Sequence, residues 1–400
     1  MSIASWMKVF FSFFFFSPPL FFFYMSCLKD CLTHPRFGYY TRKDKDRVLG
    51  QSGDFVTSVE LSPVFCGMLS VWARHALAQL QQNNENKHEK VLLLELGPGS
   101  GKLASAAAKA LKKDCANVEV HLVEASSSMR ESQRRALGDT ANVTWHDSVR
   151  DMVLQLPKDG PVIAMAHEYF DALPIYRFRY SSERGWCEEM VDISPGETGP
   201  LPLRLVLSRG PTPPVSICLG PSPPQEEGAR VEVSPDGQSD MALLSQLLAS
   251  RQEGGAGLII DYGEFAPAKM SLRAISGHTL HEEDPMSLPA GEVDLSVDVD
   301  FRLLNNVARQ KGLSTAFCTQ RDFLRKMGIE VLLVNQLEKA STEQEVSKKK
   351  SVFFFFFLRK KKKKKGEELI SQYNRIVDEM GQVYKVLIVG SDERIVKSFQ

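Results

Sequence analysis

The chain has few cysteines, and none stand in a metal or redox spacing. Seven are scattered over 400 residues, at 27, 31, 66, 115, 187, 218 and 318. No CxxC occurs, so neither a zinc ribbon nor a thioredoxin motif is supported, and reduced thiols are expected. An apolar run long enough to cross a bilayer is also lacking. The nearest candidate, the Phe-rich residues 10–23, is short and is broken by Pro18 and Pro19. It could pass for a signal-peptide core with Lys8 before it, whereas no Arg-rich amphipathic transit peptide is legible. No internal repeat is evident. Net charge is absent too, with 49 Lys plus Arg against 49 Asp plus Glu. What remains is a globular composition, 43% apolar and 24% charged, which excludes collagen, coiled coil and wholesale disorder. The length suits two domains or one elaborated domain with a sizeable core.

The neutrality has a local source. Residues 348–350 and 359–365 are all Lys or Arg, giving ten positive and no negative charges within 348–365. They flank a run of five Phe at 353–357. Without this segment the chain carries 39 basic and 49 acidic residues, a net charge of −10. The segment reads as a lipid-binding loop or as non-native low-complexity sequence such as translated intron. Removing it removes the only strong basic cluster, so no nucleic-acid partner is expected.

The remainder alternates strand and helix patterns. Residues 91–96 (VLLLEL), 118–124, 142–145, 161–166 and 257–263 (GLIIDYG) read as strands, several continuously apolar as in a buried parallel sheet. Residues 60–80, 103–112, 128–137, 239–251, 299–311 and 320–328 read as helices. Residues 184–192, 202–208 and 230–235 read as further strands, and the Pro/Gly-rich stretch 209–224 as loop. This predicts an α/β fold around a mostly parallel sheet.

Glu95-Leu96-Gly97-Pro98-Gly99-Ser100-Gly101 follows the first strong strand. Glycines there permit a tight turn and close approach of a ligand, and the next helix offers free N–H groups. Glu124 ends the following strand, where a carboxylate can accept both hydroxyls of an adenosine ribose. An exposed strand-end acid is the competing reading. A P-loop is disfavoured, because Gly97 to Gly101 is one residue too short and Leu103 occupies the Ser/Thr position. The NAD pattern GxGxxG is not supplied either. The loop looks like the S-adenosylmethionine loop of class I methyltransferases. In that pattern Asp147, within Trp145-His146-Asp147-Ser148, lies near the adenine; a helix N-cap is its other reading. His278 and His281 form an HxxH with no continuing ligand spacing, so no metal is expected.

Several separate stretches together resemble the MidA-type methyltransferases, and within them the mitochondrial complex I assembly factors. These are His34 to Tyr40, Gly53 to Ser58, Glu95 to Gly101, and His167-Glu168-Tyr169-Phe170-Asp171-Ala172-Leu173-Pro174. Gly185-Trp186, Asp261-Tyr262-Gly263, Gly277 to His281, Asp294 to Phe301 and Lys326 to Ile329 complete the set. The match covers about 24–347 and, more weakly, 366–400. Two positions depart from it. Ser58-Val59-Glu60 replaces the usual Ser-Pro-Glu, and Ser100 stands where an arginine is common.

The resemblance implies a Rossmann-like fold with an N-terminal helical element and an inserted and C-terminal accessory region. The expected parts are a low-complexity Phe-rich leader or artefact over 1–23, which has no counterpart in the family, a cofactor-covering element over 24–90, and the core over 91–208. A substrate-binding elaboration over 209–329 and a C-terminal region over 330–400, interrupted at 348–365, follow. It implies S-adenosylmethionine as cofactor, held by Glu95, Gly97, Pro98, Gly99, Gly101, Glu124 and Asp147. It implies arginine methylation of a complex I core subunit in the mitochondrial matrix; nothing in the pattern sets an oligomeric state. Glu168 and Asp171 follow the strand 161–166, where such a sheet opens its site, and are the candidate catalytic pair. A capped turn is their other reading. Asp54, Thr57, Glu60, Tyr169, Asp261 and Tyr262 are the candidate acceptor-side residues. A non-catalytic assembly chaperone and a small-molecule methyltransferase remain alternatives.

Overall fold

The computed structural model describes residues 22–34, 36, 38–41, 57–82, 89–140, 142–193, 203–219, 225–266, 270–277, 279–281, 285, 288, 291–342 and 366–400. Asp54, His278 and the low-complexity segment 348–365 lie outside these residues, as does most of the Phe-rich run.

Seven strands form the continuous path of the central sheet: β1 (Lys90–Leu96), β2 (Asn117–Val123), β3 (Asn142–His146), β4 (Val162–His167), β5 (Gly255–Glu264), β6 (Ser314–Thr319) and β7 (Tyr384–Gly390); an eighth, the two-residue Val299–Asp300, pairs parallel with the end of β5. Their spatial order is β3-β2-β1-β4-β5-β7-β6. β7 runs antiparallel to both β5 and β6, and the pairings from β3 through β5 are parallel. The chain winds outward one way from β1 and the other way from β4. Their carboxyl ends therefore flank the switch point where such a sheet opens a crevice.

Residues in β1 explain why it sits in the middle. Its side chains alternate across the sheet. Val91 and Leu93 enter the core on one face, and Leu92, Leu94 and Leu96 the core on the other. The first core is closed by α2 (Pro63–Gln81) and α3 (Lys102–Leu111), through Trp72, Leu77, Leu103 and Ala107. The second is closed by α5 (Val149–Gln155), α6 (Pro235–Ser250) and α7 (Phe301–Gln310), through Met152, Leu244 and Leu304. Between these, α4 (Ser127–Leu137) follows β2. A strand buried on both faces has to be apolar throughout, which is why these strands read as continuous runs.

A second, antiparallel layer differs from expectation. Strands 176–181, 185–193 and 203–207 do not extend the central sheet; with 230–233 and 22–23 they form a separate five-stranded sheet. A boundary at 208 therefore cuts through that sheet. The three-residue link between 181 and 185 is a hairpin connection, which dictates antiparallel pairing. A three-stranded sheet of 273–276, 279–280 and 294–296 accompanies it. The first helix, α1 (Tyr24–Thr33), packs Leu28 and Leu32 with Val191, Ala274 and Leu295 of both sheets. The stretch read as loop over 209–224 holds a short helix, Pro213–Cys218, whose proline occupies the first turn where its missing N–H costs nothing. Beyond 329, helices span Ile329–Thr342 and 366–383, the latter with a π-bulge at Asn374–Glu379 before β7. Among the described residues no helix is long and apolar enough to cross a membrane.

Candidate functional site

β1 ends in the glycine loop. Gly97, Gly99 and Gly101 have φ of 62°, 50° and 81°, a region that L side chains avoid. A Cβ on Gly97 would stand 3.1 Å from the Tyr169 ring, and one on Gly101 3.0 Å from the Gln133 backbone. The loop is thus pinned between α4 and the turn after β4, and Gly101 caps α3. Gly97, Pro98, Gly99 and Ser100 line a cavity of about 520 Å³ at the carboxyl ends of β1, β2 and β4; Gly101 lies behind it.

Glu95 projects into that cavity although it is 2% exposed, and its Oε2 has no hydrogen-bond partner. Burial pushes its carboxyl up to about 8. Glu124 also lines the cavity. Its Oε1 accepts the Ser126 N–H at 2.8 Å and its Oε2 accepts Gln133 Nε2 at 2.9 Å, which fixes the carboxylate and leaves a lone pair on each oxygen. Burial pushes it up, and these two donors pull it back. Asp147 is exposed and paired with Arg130, whose Nε donates to the Glu124 carbonyl at 2.7 Å. The N-cap of α5 is Ser148, not Asp147, so the capping reading of that acid fails. An orphaned buried carboxylate oxygen, an oriented strand-end carboxylate and a glycine cradle fit the ammonium and ribose of S-adenosylmethionine.

The N-terminal element reaches the same end. Thr57 Oγ1 caps a one-turn helix by accepting the Glu60 N–H at 3.2 Å. Glu60 accepts hydrogen bonds from Ser100 Oγ and Lys102 Nζ, which ties the element to the glycine loop. Glu60 thus lies against the cofactor loop, as expected of an element that covers the cofactor. Thr57 and Glu60 both line the cavity.

The other end is built by the turn after β4. Glu168 is the one non-glycine residue with positive φ among those described, at 52°. Its N–H donates to the Ile260 carbonyl at 3.0 Å, so β5 holds this costly conformation. Its carboxyl accepts the Tyr384 hydroxyl. Burial, then Asp171, pushes it up to about 8. His167 beside it is buried and held neutral, its pKa lowered to about 3 by desolvation. Asp171 Oδ2 accepts Ser296 Oγ at 3.0 Å; burial raises this carboxyl while Arg273 and Ser296 pull it down. Tyr169 donates its hydroxyl to Asp240 Oδ2 at 2.6 Å, and Tyr40 donates to Asp294 Oδ1 at 2.7 Å. Tyr40, His167, Glu168, Tyr169, Asp171, Asp240 and Ser296 face the cavity, as do Asp294 and Tyr262; Tyr384 stands behind Glu168.

Asp261 does not line this cavity. It is fully buried in β5, which runs three residues past it. Its Oδ2 accepts the N–H groups of Phe170 at 2.9 Å and Asp171 at 3.3 Å, and its Oδ1 accepts that of Tyr262 at 2.9 Å. Burial and the neighbouring Asp171 and Glu168 raise it well above the usual carboxylate range. It therefore anchors the Glu168–Asp171 turn from behind. Sequence reasoning missed Tyr384, Asp240, Asp294 as a wall residue, and Gln133. Only the D-L-S-V-D-V-D-F stretch signalled Asp294; Tyr384 carried no local signal.

Nine carboxylates face the cavity and no Lys or Arg does, among the described residues. Glu168, Asp171 and Asp294 lie close enough for the two aspartates to raise the Glu168 carboxyl, and such a set favours a cationic guest over an anionic one.

Comparison with known proteins agrees with this geometry. Residues 68–319 match the family model described as S-adenosyl-L-methionine-dependent methyltransferase. A mouse (Mus musculus) protein named "Protein arginine methyltransferase NDUFAF7, mitochondrial" is 34% identical over 341 residues, covering 78% of this chain and 72% of that protein. Its named homolog in Drosophila melanogaster is 31% identical, covering 80% of this chain and 74% of that one. A solved structure of a likely methyl transferase from Burkholderia thailandensis, bound to S-adenosyl-homocysteine, shares the fold. Its TM-score is 0.69 at 21% identity, covering 92% of this chain and 87% of that chain.

Proposed function

The chain belongs to the S-adenosyl-L-methionine-dependent methyltransferase family, and we propose that it methylates an arginine side chain of a protein, a core subunit of mitochondrial complex I, in the matrix. The observation that carries the arginine reading is that every Asp, Glu, Lys or Arg among the described residues lining the cavity beside the glycine loop is an acid. Relatives named as mitochondrial arginine methyltransferases support the acceptor and the compartment. The complex I subunit follows from the resemblance of the sequence motifs.

When bound, S-adenosylmethionine supplies a sulfonium methyl group, which transfers to nitrogen by in-line displacement. The chain's own residues provide the rest. Glu95, Glu124 and the glycine loop hold the donor end. A guanidinium is a poor nucleophile while its charge is delocalised. Glu168 accepts its N–H groups, localises positive charge away from the attacking nitrogen, and takes the proton that this nitrogen loses. A carboxyl poised near 8 suits a base working at slightly alkaline pH. Tyr169 and Tyr262 wall the slot and exclude water.

Radiolabelled S-adenosylmethionine with isolated complex I subunits tests the proposal. Label should appear in methylarginine of one core subunit. Binding of the subunit with no label incorporated would contradict the enzymatic reading.

A further inference from the structure

We infer that Tyr384 is a positioning residue of the acceptor end, contributed by the C-terminal segment 366–400 to complete a site otherwise built from residues 24–296. This rests on the arginine reading for its role in turnover, and on geometry alone for the contact itself. Tyr384 lies well beyond residue 319, where the family match ends.

The placement follows from register. β7 runs antiparallel beside β5, and Tyr384 stands directly opposite Tyr262. Opposed residues in an antiparallel pair share a face, and the two rings meet with centroids 4.1 Å apart. Tyr384 is 1% exposed, and its ring also stacks on that of His167 at 6.1 Å. Two aromatic contacts thus aim one phenol, which donates to Glu168 Oε1. The Glu168 main chain is fixed independently by the Ile260 carbonyl and its positive φ. Backbone and phenol therefore set the carboxylate plane together. Among the described residues no donor bonds Oε2, so that oxygen is left for the acceptor cation.

The contact has a titration consequence. The groups facing Glu168 are Tyr384 on β7, Tyr262 and Asp261 on β5, His167 at the end of β4, Asp171 on its own turn, and Asp294 from the smaller sheet. Burial, Asp171 and Asp294 push the Glu168 carboxyl up, and the Tyr384 hydrogen bond pulls it down. Deleting the phenol oxygen removes that downward pull.

Infrared difference spectroscopy on the protein without cofactor follows the Glu168 carboxyl directly, with Glu168→Gln identifying its band. Tyr384→Phe keeps the ring and should move that titration to higher pH. In turnover, kcat should fall roughly tenfold, the S-adenosylmethionine KM should stay within about twofold, and the acid limb of kcat/KM should move up. Tyr373→Phe, which deletes a hydroxyl bonded to Glu330 in the same segment, is the control that should change neither. If Tyr384→Phe does not fold, fluorotyrosine at 384 keeps the contact with a stronger donor and should move the carboxyl titration down. An unmoved Glu168 band in the variant that folds overturns the inference. A moved band without arginine methylation by the wild type keeps the contact and overturns the function proposed above.

Discussion

Two buried acids carry the site, and each has a pH signature of its own. Glu95 and Glu168 are both raised from the ordinary carboxylate range to about 8, chiefly by burial. A raised carboxyl binds its proton more tightly folded than unfolded. Between about pH 4.5 and 8 the folded state holds the extra proton, so stability falls as pH rises through that window. Without cofactor, Glu95→Gln should flatten this slope. Melting temperatures at pH 5 and pH 8 check it: the wild type loses more than the variant. An equal loss in both would mean that Glu95 titrates normally. Glu124 acts differently, because its oxygens are already oriented by Ser126 and Gln133. Glu124→Ala should weaken S-adenosylmethionine binding by roughly tenfold or more in calorimetry, with circular dichroism unchanged. Unchanged affinity would remove Glu124 from the cofactor site.

Among the elements, the turn after β4 is the one most exposed to damage. Three backbone N–H groups end on Asp261. Asp261→Ala orphans them in the core and should cost about 3 kcal/mol or more in urea unfolding. A loss below about 1 kcal/mol would show that the turn holds without it. The sequence rule for strand-end acids misplaced this residue because β5 continues to Glu264. The strands that bury both faces, β1, β4 and β5, were legible as apolar runs, and so was the glycine loop. β6 and β7 were not read, although Tyr384–Gly390 is fully buried. Tyr384 is 216 positions from its partner Glu168, and only the antiparallel pairing with β5 brings them together. No local pattern encodes such a contact. The latch from Glu60 to Ser100 and Lys102 was hidden for the same reason, since its partners lie 40 and 42 residues away.

At the scale of the whole molecule, charge is divided unevenly. The neutral total conceals a chain of −10 outside residues 348–365, and the cavity lining among the described residues carries nine acids and no Lys or Arg. Long-range attraction should therefore favour basic acceptors and weaken with salt. The KM for an arginine-bearing basic peptide should rise several-fold between about 50 and 300 mM salt, while that for S-adenosylmethionine changes little. A salt-independent peptide KM would mean that the acids do not steer the acceptor.

The central claim is that these carboxylates present an arginine to the glycine-loop cofactor. It is tested most directly by mass spectrometry of isolated complex I subunits after incubation with this protein and S-adenosylmethionine, wild type beside Glu168→Gln. The account predicts a methylarginine on one core subunit with wild type and its near-complete loss with the variant. Methylation on lysine or on a small molecule, or equal methylarginine with both proteins, would contradict it.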